Sequence, residues 1–317
     1  MERPLRRPAR MRPGQTIGLV SPSGPTSGTS ATTPALLEAA RARLAQEGFR
    51  TVVAPHALDV RGYLAGTDAD RAADLHAMFA DPEIHAVLCI RGGYGAMRLL
   101  DVLDYELVRR HPKVFVGYSD ITALHLAFLR LAGLVTFHGP MAAALARPDG
   151  HDLDHLLRAV TRPDPLGPLA NPSGGPEIET LVPGVADGPL IGGNVALLTS
   201  LLGTPYLPRL AGAVLFLEDI LDSTYRLDRR LTALRLAGVL REVAGIVIGE
   251  CRLRAEPKDQ DLSIREILED LVVPAGKPAI YGLACGHGTD HLTLPVGVRA
   301  RLDATRGVLS IEDRCVS

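Results

Sequence analysis

What this chain lacks narrows its chemistry before any motif is read. Its four cysteines, Cys89, Cys251, Cys285 and Cys315, lie far apart and form no C-x-x-C pair. That argues against a disulfide framework or a thiolate zinc site and fits reduced thiols in a cytoplasmic setting. No uninterrupted apolar run approaches the roughly 18 residues needed to span a bilayer. Long Lys/Arg clusters are also missing and the formal net charge is -2, so neither nucleic acid nor a membrane surface is the expected partner. There is no H-E-x-x-H, no Walker lysine and no G-x-G-x-x-G, and no metal or other cofactor is expected. The basic, proline-containing start, residues 1–13, has no apolar stretch behind it and reads as a short disordered arm rather than a secretory signal.

What is present is a chain of 317 residues, 46% hydrophobic and 22% charged, long enough for two domains with real cores. Apolar runs at 15–20, 51–54 and 84–90 alternate with helical periodicity at 34–46 and from Thr67 through Phe79, the pattern of a parallel α/β sheet. Thr67 with Asp70 resembles a capping box, and a further helix is expected over 96–103. Arg91-Gly92-Gly93-Tyr94-Gly95 follows the third of these strands, where glycines let the backbone approach a ligand closely. From 162 to 188 the composition shifts toward Pro, Gly and Asp. These features divide the chain into an N-terminal α/β domain at 14–161, a linker at 162–175 and a β-rich α+β domain at 176–317.

The stretch Val114-Phe115-Val116-Gly117-Tyr118-Ser119-Asp120 is the strongest local signal. A β-branched and aromatic run stops at a glycine, a serine sits on the turn, and a helical pattern begins at once. Such a turn lifts a hydroxyl clear of the sheet and aims free helix N–H groups at whatever it attacks. The G-x-S-x-G pattern is only partly met, because Ile121 fills the last glycine position, and nothing local excludes a plain βα turn in which Ser119 or Asp120 only caps the helix.

A serine needs a base and a group to hold that base. His287, between Gly286 and Gly288, has the best context among the histidines. His56, His111, His125, His138 and His291 each read as structural. Glu218 ends the apolar run 213–217, where a carboxylate is costly unless paired or functional. Backbone N–H groups of Asp120 and of the Gly92-Gly93 pair are the natural donors to a tetrahedral oxyanion. Tyr225 and Arg226 follow Glu218 closely enough to reach a substrate.

Set in order, Gly18-Leu19-Val20-Ser21-Pro22-Ser23-Gly24, Arg91 to Gly95, Gly117-Tyr118-Ser119-Asp120, His138-Gly139-Pro140, Gly192-Gly193-Asn194, Leu217-Glu218-Asp219 with Tyr225-Arg226-Leu227-Asp228-Arg229, and Gly286-His287-Gly288 with Leu294-Pro295-Val296-Gly297 resemble the LD-carboxypeptidase family of serine peptidases. That family includes enzymes that trim murein tetrapeptides and the microcin C immunity proteins. The resemblance implies a class I glutaminase-like N-terminal domain, a homodimer, and a Ser-Glu-His triad falling on Ser119, Glu218 and His287. It further implies cleavage between an L-configured centre and a terminal D-amino acid, in murein recycling. The substrate would be a small muropeptide-like peptide contacted by Arg91, Asn194, Tyr225 or Arg226, with one of the arginines taking its carboxylate. Two alternatives stand beside this reading. One is hydrolysis of aminoacyl or peptidyl sulfamoyl-adenylates, for which the absence of tryptophan removes the usual aromatic platform. The other is a non-catalytic two-domain binder of peptides or sugars.

Overall fold

The computed structural model describes residues 3–26, 33–147, 151–254 and 260–317, apart from the side chains of Ala143 and His151. The N-terminal half folds around a six-stranded sheet. Its strands are β1 (Thr16–Val20), β2 (Arg50–Val53), β3 (Ile84–Cys89), β4 (Val114–Gly117) and β5 (Thr136–His138), all parallel in the order 5-4-3-1-2. Central strands β1 and β4 are buried throughout, whereas edge strand β2 alternates between exposed and half-buried positions. This is why the central strands read as continuous apolar runs. Helices Pro34–Gln46 and Asp68–Ala80 connect the first strands, the second opened by the reciprocal capping box of Thr67 and Asp70. The helix expected over 96–103 is instead a 3-10 turn, Ala96–Leu99, and a separate helix Tyr105–Arg110 starts behind the Asp104 cap.

The C-terminal half is built on an eight-stranded sheet. Its members are β6 (Gly167–Leu169), β7 (Glu179–Val182), β8 (Val185–Asn194), β9 (Val214–Leu221), β10 (Gly245–Leu253) and β11 (Ala279–Gly286), completed further on by β13 (Arg299–Asp303) and β14 (Val308–Ile311). The strand order is 6-14-13-8-9-10-11-7. The centre, β8 to β11, is parallel, with antiparallel strands on both flanks. This half is thus β-rich as expected, and its mixed sheet has a parallel centre because helices such as Thr224–Leu236 return the chain in the same direction.

Three of the sequence boundaries shift. The strand β12 (Leu294–Val296), far down the chain, pairs antiparallel with β5 and completes the N-terminal sheet. The expected linker carries β6, a strand of the C-terminal sheet paired to β14. The expected disordered arm is tied down from residue 3 onward. Arg6 bridges Leu134, Met11 is 3% exposed, and Arg10 N–H and Ser317 N–H donate to Ser317 and Pro8 carbonyls. Met1 and Glu2 lie outside the described residues. All four cysteines are free and buried, and among the described residues no helix is long and apolar enough to cross a membrane.

Candidate active site

The turn after β4 carries the one non-glycine residue with positive φ among the described residues, Ser119 at φ 64°. A left-handed serine is costly, and such strain persists only where the surroundings enforce it. Here they do. A Cβ on Gly117 would lie 2.9 Å from Ile121, so the bulk of Ile121 is accommodated by the glycine on the strand side of the turn. The Asp120 carboxylate accepts from Ser23 Oγ at 2.6 Å and from the Ala96 N–H at 2.8 Å. One side chain thereby fastens together the loops that follow β1, β3 and β4. His125 Nε2–H donates to the Gly117 carbonyl and its Nδ1 accepts from the Thr136 hydroxyl, both at 2.8 Å, and the ring braces the turn from behind.

Opposite the turn, the carboxyl half of β9 carries Glu218 and the end of β11 delivers His287. His287 Nε2 lies 3.1 Å from Ser119 Oγ, and His287 Nδ1 lies 2.7 Å from Glu218 Oε2. With the hydrogen on Nδ1, the imidazole donates to Glu218 and accepts from the serine hydroxyl, which is the arrangement a proton-transferring base requires. Burial lowers the His287 pKa, but the Glu218 charge and hydrogen bond outweigh it and hold the group above its ordinary 6.5. Glu218 is fully buried. Its room is made by Gly286, whose φ is +115° and where a Cβ would stand 2.5 Å from Glu218 Oε2.

Asn194 organises this acid. Its Nδ2 reaches Glu218 Oε1 at 3.3 Å and Asp219 Oδ1 at 3.1 Å, while its Oδ1 caps the helix Val195–Ser200. Its backbone N–H donates to Thr122 Oγ1 at 3.0 Å, joining the two halves of the molecule, and Gly193 must lack a side chain there. Burial pushes the neighbouring Asp219 carboxyl up to about 6, although Arg230, at 2.5 Å, opposes this.

These groups open onto a cleft of about 560 Å³, lined by Arg91, Gly92, Gly93, Ser119, Asp120, Asn194 and His287 among others. Gly92 packs on the nucleophile, a Cβ there falling 3.3 Å from Ser119 Oγ. Tyr225 and Arg226 do not line the cleft; Tyr225 is 52% exposed beneath the Arg226 and Arg229 guanidinium groups, and Arg226 pairs with Asp222. In their place the helix Thr224–Leu236 sends in Arg230, one turn further on, and Arg254 enters from beyond β10. Arg230 and Asp219 were missed in the sequence. The available signal was Asp219 itself, a second carboxylate at the end of an apolar strand that demands a cation.

Among the other histidines, His138 and His291 are buried in a ring cluster with Tyr118, and burial holds both well below their ordinary pKa, His291 at about 3. They stay neutral and structural in setting. His111 caps the helix Tyr105–Arg110. Among the described residues one trio, His56, Asp59 and Asp70, brings potential metal-ligand atoms together, and none of the three lines the cleft.

Comparison with known proteins agrees in both halves. Residues 17–139 match the LD-carboxypeptidase N-terminal domain and residues 187–302 its C-terminal domain. A Streptomyces coelicolor protein named as a carboxypeptidase is 44% identical over 316 residues, covering 98% of this chain and 97% of its own. The murein tetrapeptide carboxypeptidase of Pseudomonas aeruginosa is 33% identical, over 92% of this chain and 94% of the enzyme. The solved wild-type structure of the microcin C7 self-immunity protein MccF superposes with a TM-score of 0.90 at 25% identity, covering 98% of this chain and 100% of that one, and MccF has also been solved with aspartyl sulfamoyl adenosine. The chain therefore belongs to the LD-carboxypeptidase family and is a hydrolase acting on peptides.

Proposed function

We propose that the protein is a serine LD-carboxypeptidase that removes the terminal D-amino acid from a murein-derived tetrapeptide. The observation that carries this is the Ser119–His287–Glu218 hydrogen-bonded chain built on a strained serine, beside a cleft wide enough for a peptide. Likeness to a murein tetrapeptide carboxypeptidase supports the substrate class.

In this mechanism Ser119 Oγ attacks the carbonyl carbon of the scissile bond as His287 Nε2 takes its proton. Glu218 holds the imidazole tautomer and stabilises the imidazolium. The oxyanion is met by the backbone N–H of Asp120, at the start of a helical turn, and by an N–H of Gly92 or Gly93. Collapse breaks the C–N bond, and His287 returns the proton to the leaving amine. Water, deprotonated by His287, then attacks the acyl ester and releases Ser119. No step calls on a metal or other cofactor. The proposal includes murein recycling in the cytoplasm and a homodimeric state, both on family resemblance.

The test is incubation with a murein tetrapeptide, following D-Ala release by mass spectrometry. Wild type is expected to release D-Ala, and Ser119→Ala to lose at least about 10³-fold in rate. No release by wild type, or full release by the variant, would sink the reading. An aminoacyl sulfamoyl-adenylate run in parallel tests the activity suggested by the likeness to MccF.

A further inference from the structure

We propose that Arg230 anchors the terminal carboxylate of the substrate and so makes this hydrolase act at chain ends. The inference rests on the carboxypeptidase reading above and goes beyond it, since neither the motif set nor the triad names the group that senses a free C-terminus. In a terminal amino acid a single carbon separates the scissile nitrogen from the carboxylate. Its anchor therefore belongs in the immediate surroundings of the triad and must be cationic or rich in N–H donors.

Three guanidinium groups line the cleft: those of Arg91, Arg230 and Arg254. Arg91 braces its own loop, with Nε donating to the Gly92 carbonyl at 3.1 Å and Nη1 to the Pro25 carbonyl at 3.0 Å. Arg254 is 63% exposed and stands 3.8 Å from Asp222, a solvated and screened position. Arg230 differs from both. Its side chain is 22% exposed, and among the described residues its one hydrogen-bond partner is the buried Asp219, at 2.5 Å.

Asp219 is itself fixed, accepting from Asn194 Nδ2 at 3.1 Å and from the Ile220 N–H at 2.9 Å, and it adjoins Glu218 in the chain. The same Asn194 amide thus holds the acid of the triad and the carboxylate that orients Arg230. A guanidinium carries five N–H donors in a rigid fork. Asp219 occupies part of that fork and sets its direction, leaving donors for a second carboxylate in the cleft. Asp219 acts here as a positioning residue, and the preorganised arginine loses little entropy on binding.

The experiment compares two tetrapeptides that differ only in a free or an amidated terminal carboxyl. Their affinities are measured by calorimetry on Ser119→Ala protein, which holds substrate without turning it over. The free acid is expected to bind about 10- to 100-fold more tightly than the amide. In Ser119→Ala/Arg230→Gln that ratio should fall to near one, by weakening of the acid with the amide little changed. Lysine at the same position should restore part of it. No preference for the acid in Ser119→Ala protein, a ratio unmoved by Arg230→Gln, or equal weakening of both peptides would each overturn the assignment; the last is the signature of a merely structural arginine. Wild-type turnover of the free acid, run alongside, keeps the two ideas apart. If wild type releases the terminal residue while the ratio persists in the variant, only the role of Arg230 falls.

Discussion

A single strained residue states most of the chemistry. Ser119 takes a left-handed conformation that a serine enters only under constraint, with the hydroxyl at hydrogen-bond distance from His287. The pKa of His287 makes the proposed assignment testable. A base must be neutral to accept the serine proton, and its pKa is held above 6.5 chiefly by Glu218 against the opposing pull of burial. Activity should therefore rise with pH through a value above 6.5. Glu218→Gln removes the opposing charge, so the acid limb of kcat/KM should move to lower pH while the rate falls roughly 10³- to 10⁴-fold. A pH profile that loses height without moving would contradict the role given to Glu218. Within the proposed triad, Ser119 and His287 were legible because a turn or a pair of glycines breaks an apolar strand at each, and Glu218 because a carboxylate interrupts the apolar run of β9. The substrate arginine was not. The sequence offered Arg91 and Arg226, but which turn of a helix faces a cleft depends on how that helix docks, and docking put Arg230 rather than Arg226 inside.

At the scale of elements, the strand ends do the assembling. The parallel strands of both sheets present their carboxyl ends to one crevice, the usual place for a site in an open α/β sheet. Asp120 ties three of those ends together, and burial raises its carboxyl above the usual range, partly offset by its bonds to Ser23 and Ala96. Asp120→Ala would leave the Ser23 hydroxyl and the Ala96 N–H buried without that partner. It should destabilise the protein by about 2 kcal/mol, read as a lower denaturant midpoint, and an unchanged midpoint would show that the loops are held by other contacts. Periodicity disclosed the long elements well, the helix Pro34–Gln46 among them. It failed for two short ones: β6 spans three residues, too few for an alternation, and the six-residue helix Tyr105–Arg110 is defined more by the Asp104 cap than by an apolar face.

For the whole molecule, composition anticipated two domains with cores of their own, whereas the buried apolar residues of both sheets form one continuous cluster. Pairing partners are chosen in space, so Leu294–Val296 joins the first sheet from the second half, and the two chain ends clasp each other through Pro8, Arg10 and Ser317. A fragment of residues 14–161 would contain the proposed nucleophile and nearly all of the first sheet, yet it would not contain β12. Light scattering on that fragment should show association at micromolar concentration, whereas a stable monomer would refute the dependence. In the intact protein β12 is the outermost strand of its sheet, and Pro295 stands opposite Phe137 within it. Proline has no N–H to offer a neighbouring chain, so the sheet ends on a strand poorly suited to further pairing. The same short strand that closes the fold thus also guards it against growing by edge-to-edge polymerisation, a protection that truncation would remove.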